Sequence, residues 1–231
     1  MKTSIIISRY KENIDWIKKL NPNFQIIIYN KGDHITAQRN WEIINLPNVG
    51  RESHTWLYHI YNNFFVLNSY NIFLQGRIDD LGCMAYQDLS KYLINLDKKG
   101  FVASRLGIIT PLHWKDNFSI YKDSRYKKDW FEGNISKSEM NFREFSKKLF
   151  NDIPYIFPTS YGGCFAVTKN AIQQNNQEFY FELLSILSKN KNPMEGHYME
   201  RLWCYIFTKN KPLFNSCLDV FKTKIEKFNV W

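Results

Sequence analysis

The 231-residue sequence predicts a single α/β domain with a mostly parallel central sheet flanked by helices. Three observations carry that prediction. Short unbroken apolar runs such as Ile5-Ile6-Ile7 and Ile26-Ile27-Ile28 suit strands buried on both faces. Segments with apolar residues at helical spacing alternate with those runs through the first half of the chain. Asn, Gly and Pro turn signals separate the two kinds of segment.

The elements follow in order. SIIIS (4–8) reads as a buried strand, and KENIDWIKKL (11–20) as a helix carrying Ile14, Ile17 and Leu20, stopped at Asn21-Pro22. FQIIIY (24–29) is a second strand closed by Asn30-Lys31-Gly32-Asp33, and EIINL (42–46) a shorter third. From Arg51, residues Leu57, Ile60, Tyr61, Phe64 and Phe65 mark one face of a helix. YNIFLQG (70–76) is a strand, and Leu89, Tyr92, Leu93 and Leu96 line the inner face of the next helix, ended by Gly100. FVASR then opens another strand. Residues 107–158 break the rhythm and read as an aromatic, charged insertion over the sheet edge, with a helix at Phe142, Phe145 and Leu149. SYGGCFAVTKNAI (160–172) is a glycine-preceded strand entering a helix. Two further helices carry Phe179, Leu183, Ile186 and Leu187, then Met199, Leu202, Trp203, Ile206 and Phe207, before a tail from Asn210 and Pro212 to Trp231. The organisation is therefore a first half over 1–106, the insertion over 107–158 and a second half over 159–231.

Composition narrows the function classes. The net charge is +9, which favours phosphate-bearing ligands and polyanions. Basic residues are interspersed with acids, without a run of five or six, which argues against a duplex-binding stripe. The 18 Phe, 14 Tyr and 7 Trp fill cores well and also make flat platforms for sugars or bases. Cys83, Cys164, Cys204 and Cys217 form no CxxC pair and read as free thiols in a reducing compartment. The N-terminal apolar run is too short for a signal peptide, and no stretch reaches the ~20 apolar residues of a membrane span. A cytoplasmic protein is expected.

Ligands of parallel sheets bind beyond the carboxyl ends of strands, so the loops after Ser8, Tyr29, Leu46, Leu74 and Arg105 are the places to search. Asn48-Val49-Gly50-Arg51-Glu52 sits at such a strand-to-helix junction. Gly50 lets a ligand approach the backbone, and a phosphate there would meet Arg51 and the free amides of a helix N-terminus. The same residues also suit a plain glycine turn with an Arg–Glu surface pair. Gln75-Gly76-Arg77-Ile78-Asp79-Asp80 follows another strand. Asp79 and Asp80 could hold Mn2+ or Mg2+ on a substrate diphosphate, or form a solvated turn with Asp80 as helix cap. Glu195, His197 and Glu200 lie at a helix entrance; Glu200 could take a proton from a hydroxyl, with Glu195 and His197 as alternatives, or simply cap the helix and pair with Arg201. His54 and His59 are five residues apart, on different helix faces, and make no zinc pair. Rossmann, P-loop and serine-hydrolase signatures are missing from the sequence.

Together the strings SRY (8–10), YNKG (29–32), LPNVGRESHTWLYHI (46–60) and FLQG (73–76) resemble an uncharacterised domain family widespread in fungi. That family's hallmark is N-x-G-R-E-x-x-T-[YW]-L-x-H-I followed by F-x-Q-G. GGCFAV (162–167), EFY (178–180) and ERLWCYIF (200–207) resemble its second half. A looser similarity of layout links the chain to nucleotide-sugar glycosyltransferases of the GT-A type. That similarity implies a GT-A-like fold and transfer of a hexosyl or deoxyhexosyl group from a nucleotide donor, UDP-linked for example, to a glycan or other hydroxyl, with inversion. It implies that Ser8, Arg9, Tyr10, Asn30, Lys31 and Asp33 line the nucleotide, and that Asn48, Gly50, Arg51 and Arg77 hold the diphosphate. Gln75, Gly162 and Gly163 would face the donor sugar, Asp79 and Asp80 would ligate the metal, and Glu200 would be the base. Trp114, Tyr121, Tyr126 and Trp130 would shape the acceptor side. Where the type has D-x-D, this chain has Gln75-Gly76-Arg77, so Arg77 stands where a metal ligand would. The rival expectation is a glycan- or nucleotide-binding domain without turnover, and behind it a nucleic-acid-binding protein.

Overall fold

The computed structural model describes residues 2–38, 41–78, 89–103, 106–110 and 124–208. It has a six-stranded sheet in the order β3-β2-β1-β4-β8-β5, built from β1 (Thr3–Arg9), β2 (Gln25–Asn30), β3 (Trp41–Asn45), β4 (Tyr70–Gln75), β5 (Phe101–Ala103) and β8 (Phe165–Thr168). β1 to β4 run parallel, with Ile5 beside Ile26 on one side and Ile72 on the other. β8 runs antiparallel to both β4 and β5. The mostly parallel α/β sheet expected from the apolar runs is present, with one reversed strand. β6 (Leu106–Ile109) and β7 (Phe157–Ser160) form a separate antiparallel ribbon.

Each strand points alternate residues to opposite faces. Ile6, Ile27, Tyr29 and Phe73 face one core with α1 (Arg51–Asn63), α6 (Gln177–Leu187) and α7 (Met194–Thr208). Ile5, Ile7, Ile26, Ile28, Ile72 and Leu74 face the other, where Leu89 and Leu96 of α2 (Leu89–Lys99) also pack. Three shorter helices complete the described part: α3 (Ser124–Phe131), α4 (Phe142–Phe150) and α5 (Lys169–Ile172). Phe142, Phe145 and Phe157 join the α1 core, so the described part of the 107–158 segment is integral to the domain.

Three local expectations change. The 11–20 segment is helical only as a 3-10 turn over Asp15–Lys19. Its buried Ile14, Ile17 and Leu20 recur every third residue, the period of a 3-10 turn, and Asn21-Pro22 leaves no room for a longer helix. Phe65 lies past the end of α1 and is 72% exposed, whereas Phe64 is buried. The cysteines are not four free thiols: Cys164, fully buried, is disulfide-bonded, whereas Cys204 is free and buried. This removes one ground for the expected cytoplasmic location. Among the described residues no helix is long and apolar enough to cross a membrane.

Among the described residues most of the aromatic side chains are accounted for by packing. Trp203 stacks on Phe207 at 5.8 Å and tilts against Phe165 at 5.3 Å, and Trp56 meets Phe73 edge-on at 5.2 Å.

Candidate functional site

The chain order reverses between β1 and β4: from β1 it moves outward to β2 and β3, then returns to the other side of β1. In open α/β sheets a crevice forms beyond the carboxyl ends of strands at such a switch. A cleft of about 430 Å3 opens there, lined by Ser8, Arg9 and Tyr10 after β1, Lys31 after β2, and Gln75 and Arg77 after β4. Asn48, Arg51 and Glu52 line it from the entrance of α1.

That entrance is built against backbone preference. Gly50 has φ +60° and Arg51 has φ +54°, both left-handed. The turn is held on two sides: the Gly50 N–H donates to the Asn190 carbonyl at 2.8 Å, and Lys31 Nζ donates to the carbonyls of Val49, at 2.7 Å, and Arg51. A Cβ on Gly50 would lie 2.5 Å from the Leu187 carbonyl oxygen, so only glycine fits. Such strain at a non-glycine residue persists where the surroundings overdetermine it and is concentrated at functional sites.

Arg51 is the electrostatic centre. Its Nη1 lies 2.7 Å from Nδ1 and 2.8 Å from Nε2 of His197, so whichever ring nitrogen is unprotonated accepts a hydrogen bond. Its Nε is 3.7 Å from Glu52, and its guanidinium is 5.7 Å from the centroid of Tyr126. Burial by itself would lower the Arg51 pKa; Glu52, Tyr126 and Glu200 outweigh it and hold the guanidinium above its ordinary range. His197 is pushed down to about 2, by burial first and then by Arg51 and Arg201, and so stays neutral. Lys31 is lowered to about 7 by burial, which Glu52 partly opposes.

The second half of the chain closes the site from another side. Gly162 and Gly163 form a tandem left-handed turn, φ +88° and +65°, just before β8. A Cβ on Gly163 would lie 3.0 Å from Glu52 Oε1 and 3.3 Å from Gln75 Nε2. Trp56, one turn beyond Glu52 on α1, donates from Nε1 to the Gly163 carbonyl at 3.0 Å. Glu200 Oε1 accepts the Gly162 N–H at 2.7 Å, and Glu200 Oε2 is 3.8 Å from Arg201.

The expected residues therefore fall into three groups. Ser8, Arg9, Tyr10, Lys31, Asn48, Arg51, Gln75 and Arg77 meet at the cleft. Asn30, Asp33, Gly50, Gly162, Gly163, Glu195, His197 and Glu200 do not line it, although Gly163 lies against the lining residues Glu52 and Gln75. Asn30 is 2% exposed and ties loops together, accepting from Arg9 Nη1 at 2.6 Å and donating to the Asn45 side chain at 3.1 Å. The Asp33 carbonyl accepts from Arg9 at 3.0 Å, so it holds the loop through its backbone. Arg9, expected on the nucleotide, is itself a strap: it donates to Glu12, Tyr10, Asn30 and Asp33. His197 is 1% exposed behind Arg51. Asp79 and Asp80, with Trp114 and Tyr121, lie outside the described residues. Among the described residues no group of three or more His, Cys, Asp or Glu is placed to hold a metal ion.

Sequence reasoning missed Glu12, Glu52, Asp129, Lys191 and Asn192, all on the cleft wall. Glu52 had a signal, its place in the Asn48–Glu52 string, but it read as a surface partner for Arg51. Lys191 and Asn192 lie in the loop before α7, and only the tertiary contact to Gly50 brings that loop to the site.

No curated protein matches the chain. Residues 5–220 match the model of a family described as "Protein of unknown function (DUF3431)". The match spans the β1, β2, α1 and β4 strings that build the cleft and the Gly162–Gly163 turn opposite them, and the chain belongs to this family.

Proposed function

We propose that the protein is a glycosyltransferase that binds a nucleotide-diphosphate sugar in the switch-point cleft and transfers the sugar to a hydroxyl acceptor. One observation carries the reading. A cleft at the β1/β4 switch point is lined by Lys31, Arg51, Arg77 and Lys191, and a tandem-glycine turn lies beside its Glu52 and Gln75. The cations suit a diphosphate, and the bare glycine backbone suits a ligand at close approach. Tyr10, 39% exposed with Lys11 at 5.3 Å and Lys191 at 5.9 Å from its ring, offers a face for the base. The GT-A-like layout is part of the same proposal. Tyr126 and Trp130 on α3 stay assigned to the acceptor side, and Glu200 keeps the Gly162 amide in place for the donor.

Mn2+ or Mg2+ on Asp79 and Asp80 would add charge to the leaving diphosphate; the arginines and lysines of the wall supply charge without it. The experiment is a panel of nucleotide sugars with and without Mn2+, read as release of nucleoside diphosphate, with UDP titrated calorimetrically alongside. Release from at least one donor is expected. Absence of both nucleoside diphosphate release from every donor and UDP binding would overturn the reading, whereas UDP binding without release with any acceptor would favour the binding domain without turnover.

A further inference from the structure

We propose that Glu52, rather than Glu200, is the general base of the transfer, an inference that rests on the glycosyltransferase reading. The other carboxylates near the cleft already have partners within the protein. Glu200 accepts the Gly162 N–H at 2.7 Å and is not on the cleft wall. Glu12 accepts the Tyr10 N–H at 2.6 Å. Asp129 accepts from Asn134 Nδ2 at 3.3 Å. Glu52 lines the cleft with its side chain only 11% exposed, and no described residue donates a hydrogen bond to it. Among the described residues its one charged neighbour within salt-bridge reach is Arg51 Nε, at 3.7 Å.

A largely buried carboxylate without a donor is costly unless a ligand provides one. An acceptor hydroxyl is a donor of the right kind. The surroundings fit that use. Glu52 is fixed in the first turn of α1 by the locked Gly50–Arg51 entrance, so its position is set by the fold. Gly163 lies against it so closely that a Cβ there would meet Oε1 at 3.0 Å, and Gln75 is beside both. Base and diphosphate cation therefore share one wall, with the Gly162–Gly163 turn packed against it.

A Glu52 oxygen takes the proton of the acceptor hydroxyl while the hydroxyl oxygen bonds to the anomeric carbon. The bond from that carbon to the diphosphate oxygen breaks, and its electron pair leaves on the nucleoside diphosphate, opposite the cationic side chains. The products are the glycoside with inverted configuration, the nucleoside diphosphate and a protonated Glu52, which returns its proton to solvent.

The test uses the full chain and the donor that the panel identifies. Glu52→Gln keeps the shape and removes the proton acceptor. It is expected to lower kcat by about 10²-fold or more, with donor KM and UDP affinity within about twofold of wild type and the melting curve unchanged. Glu52→Asp should restore part of the rate, and the wild-type kcat should fall on the acid side of its pH profile. A Glu52→Gln kcat within threefold of wild type would overturn the assignment. So would a loss confined to acceptor KM, which would make Glu52 a hydroxyl holder. Should the Gln variant not fold, a wild-type profile without an acid limb overturns it equally. A wild type that releases no nucleoside diphosphate from any donor is a different outcome: there the glycosyltransferase reading itself falls.

Discussion

Lowering the pH from 7 to 5 should cost the fold several kcal/mol through three buried imidazoles. His54, His59 and His197 are 4%, 2% and 1% exposed. Burial lowers His54 to about 4, with Lys31 adding to it, and lowers His59 to about 3. Burial, Arg51 and Arg201 lower His197 to about 2. In the unfolded chain all three return to about 6.5. A depressed folded pKa means that the unfolded state binds the extra proton first, so stability is lost as pH falls below about 6.5. Each pH unit in that window costs about 1.4 kcal/mol per imidazole. At pH 5 that is roughly 2 kcal/mol for each, or about 6 kcal/mol for the three, against a typical domain stability of 5–15 kcal/mol. Urea titrations at pH 7 and pH 5 measure the difference directly, and calorimetric unfolding at pH 5 in two buffers of different ionisation enthalpy should report uptake of about three protons. Equal urea midpoints at the two pH values, or uptake below one proton, would refute the claim that these rings are buried neutral.

Further outcomes follow from single contacts. Arg51→Ala should weaken UDP binding about tenfold or more by calorimetry, because it removes the central cation of the wall. Gly50→Ala should destabilise by more than 2 kcal/mol in urea, since φ +60° is unfavourable to alanine and its Cβ would lie 2.5 Å from the Leu187 carbonyl. Gly163→Ala, at φ +65° but facing side chains able to yield, should cost about 1–2 kcal/mol and reduce transfer more than UDP affinity. Non-reducing peptide mapping should find Cys164 cross-linked and Cys204 free, and reduction should lower stability by about 2–4 kcal/mol.

The sheet was legible because Ile5–Ile7, Ile26–Ile28 and Ile72–Leu74 must be buried on both faces, and such runs have few other uses. The meeting of the β1, β2, α1 and β4 loops at one cleft was legible because parallel strands gather their carboxyl ends on one edge. The reversal of β8 was not: FAVT carries no mark of direction, and its neighbours are fixed by long-range pairing. The division of labour among carboxylates was equally hidden. Nothing in the sequence separates Glu52 from Glu200; the difference is which one finds the Gly162 N–H. Arg9 misled for the same reason, since its strap partners Asn30 and Asp33 lie on another strand's loop.

The placement of β8 also dictates an order of events during synthesis. Among the described strands β5 is joined to the sheet only through β8, which pairs with β4 on its other edge. When Phe101–Ala103 leave the ribosome their neighbour strand, Phe165–Thr168, has not been made. Until then the β4 edge beside the cleft is an open template, able to capture a foreign strand. The first half thus has no finished form of its own: the last of the described strands inserts like a keystone, completing the six-stranded sheet and bringing the Gly162–Gly163 turn against Glu52 and Gln75 in one movement. Nascent chains stalled in the 107–158 segment should therefore aggregate more readily than the full chain, with the edge of β4 exposed.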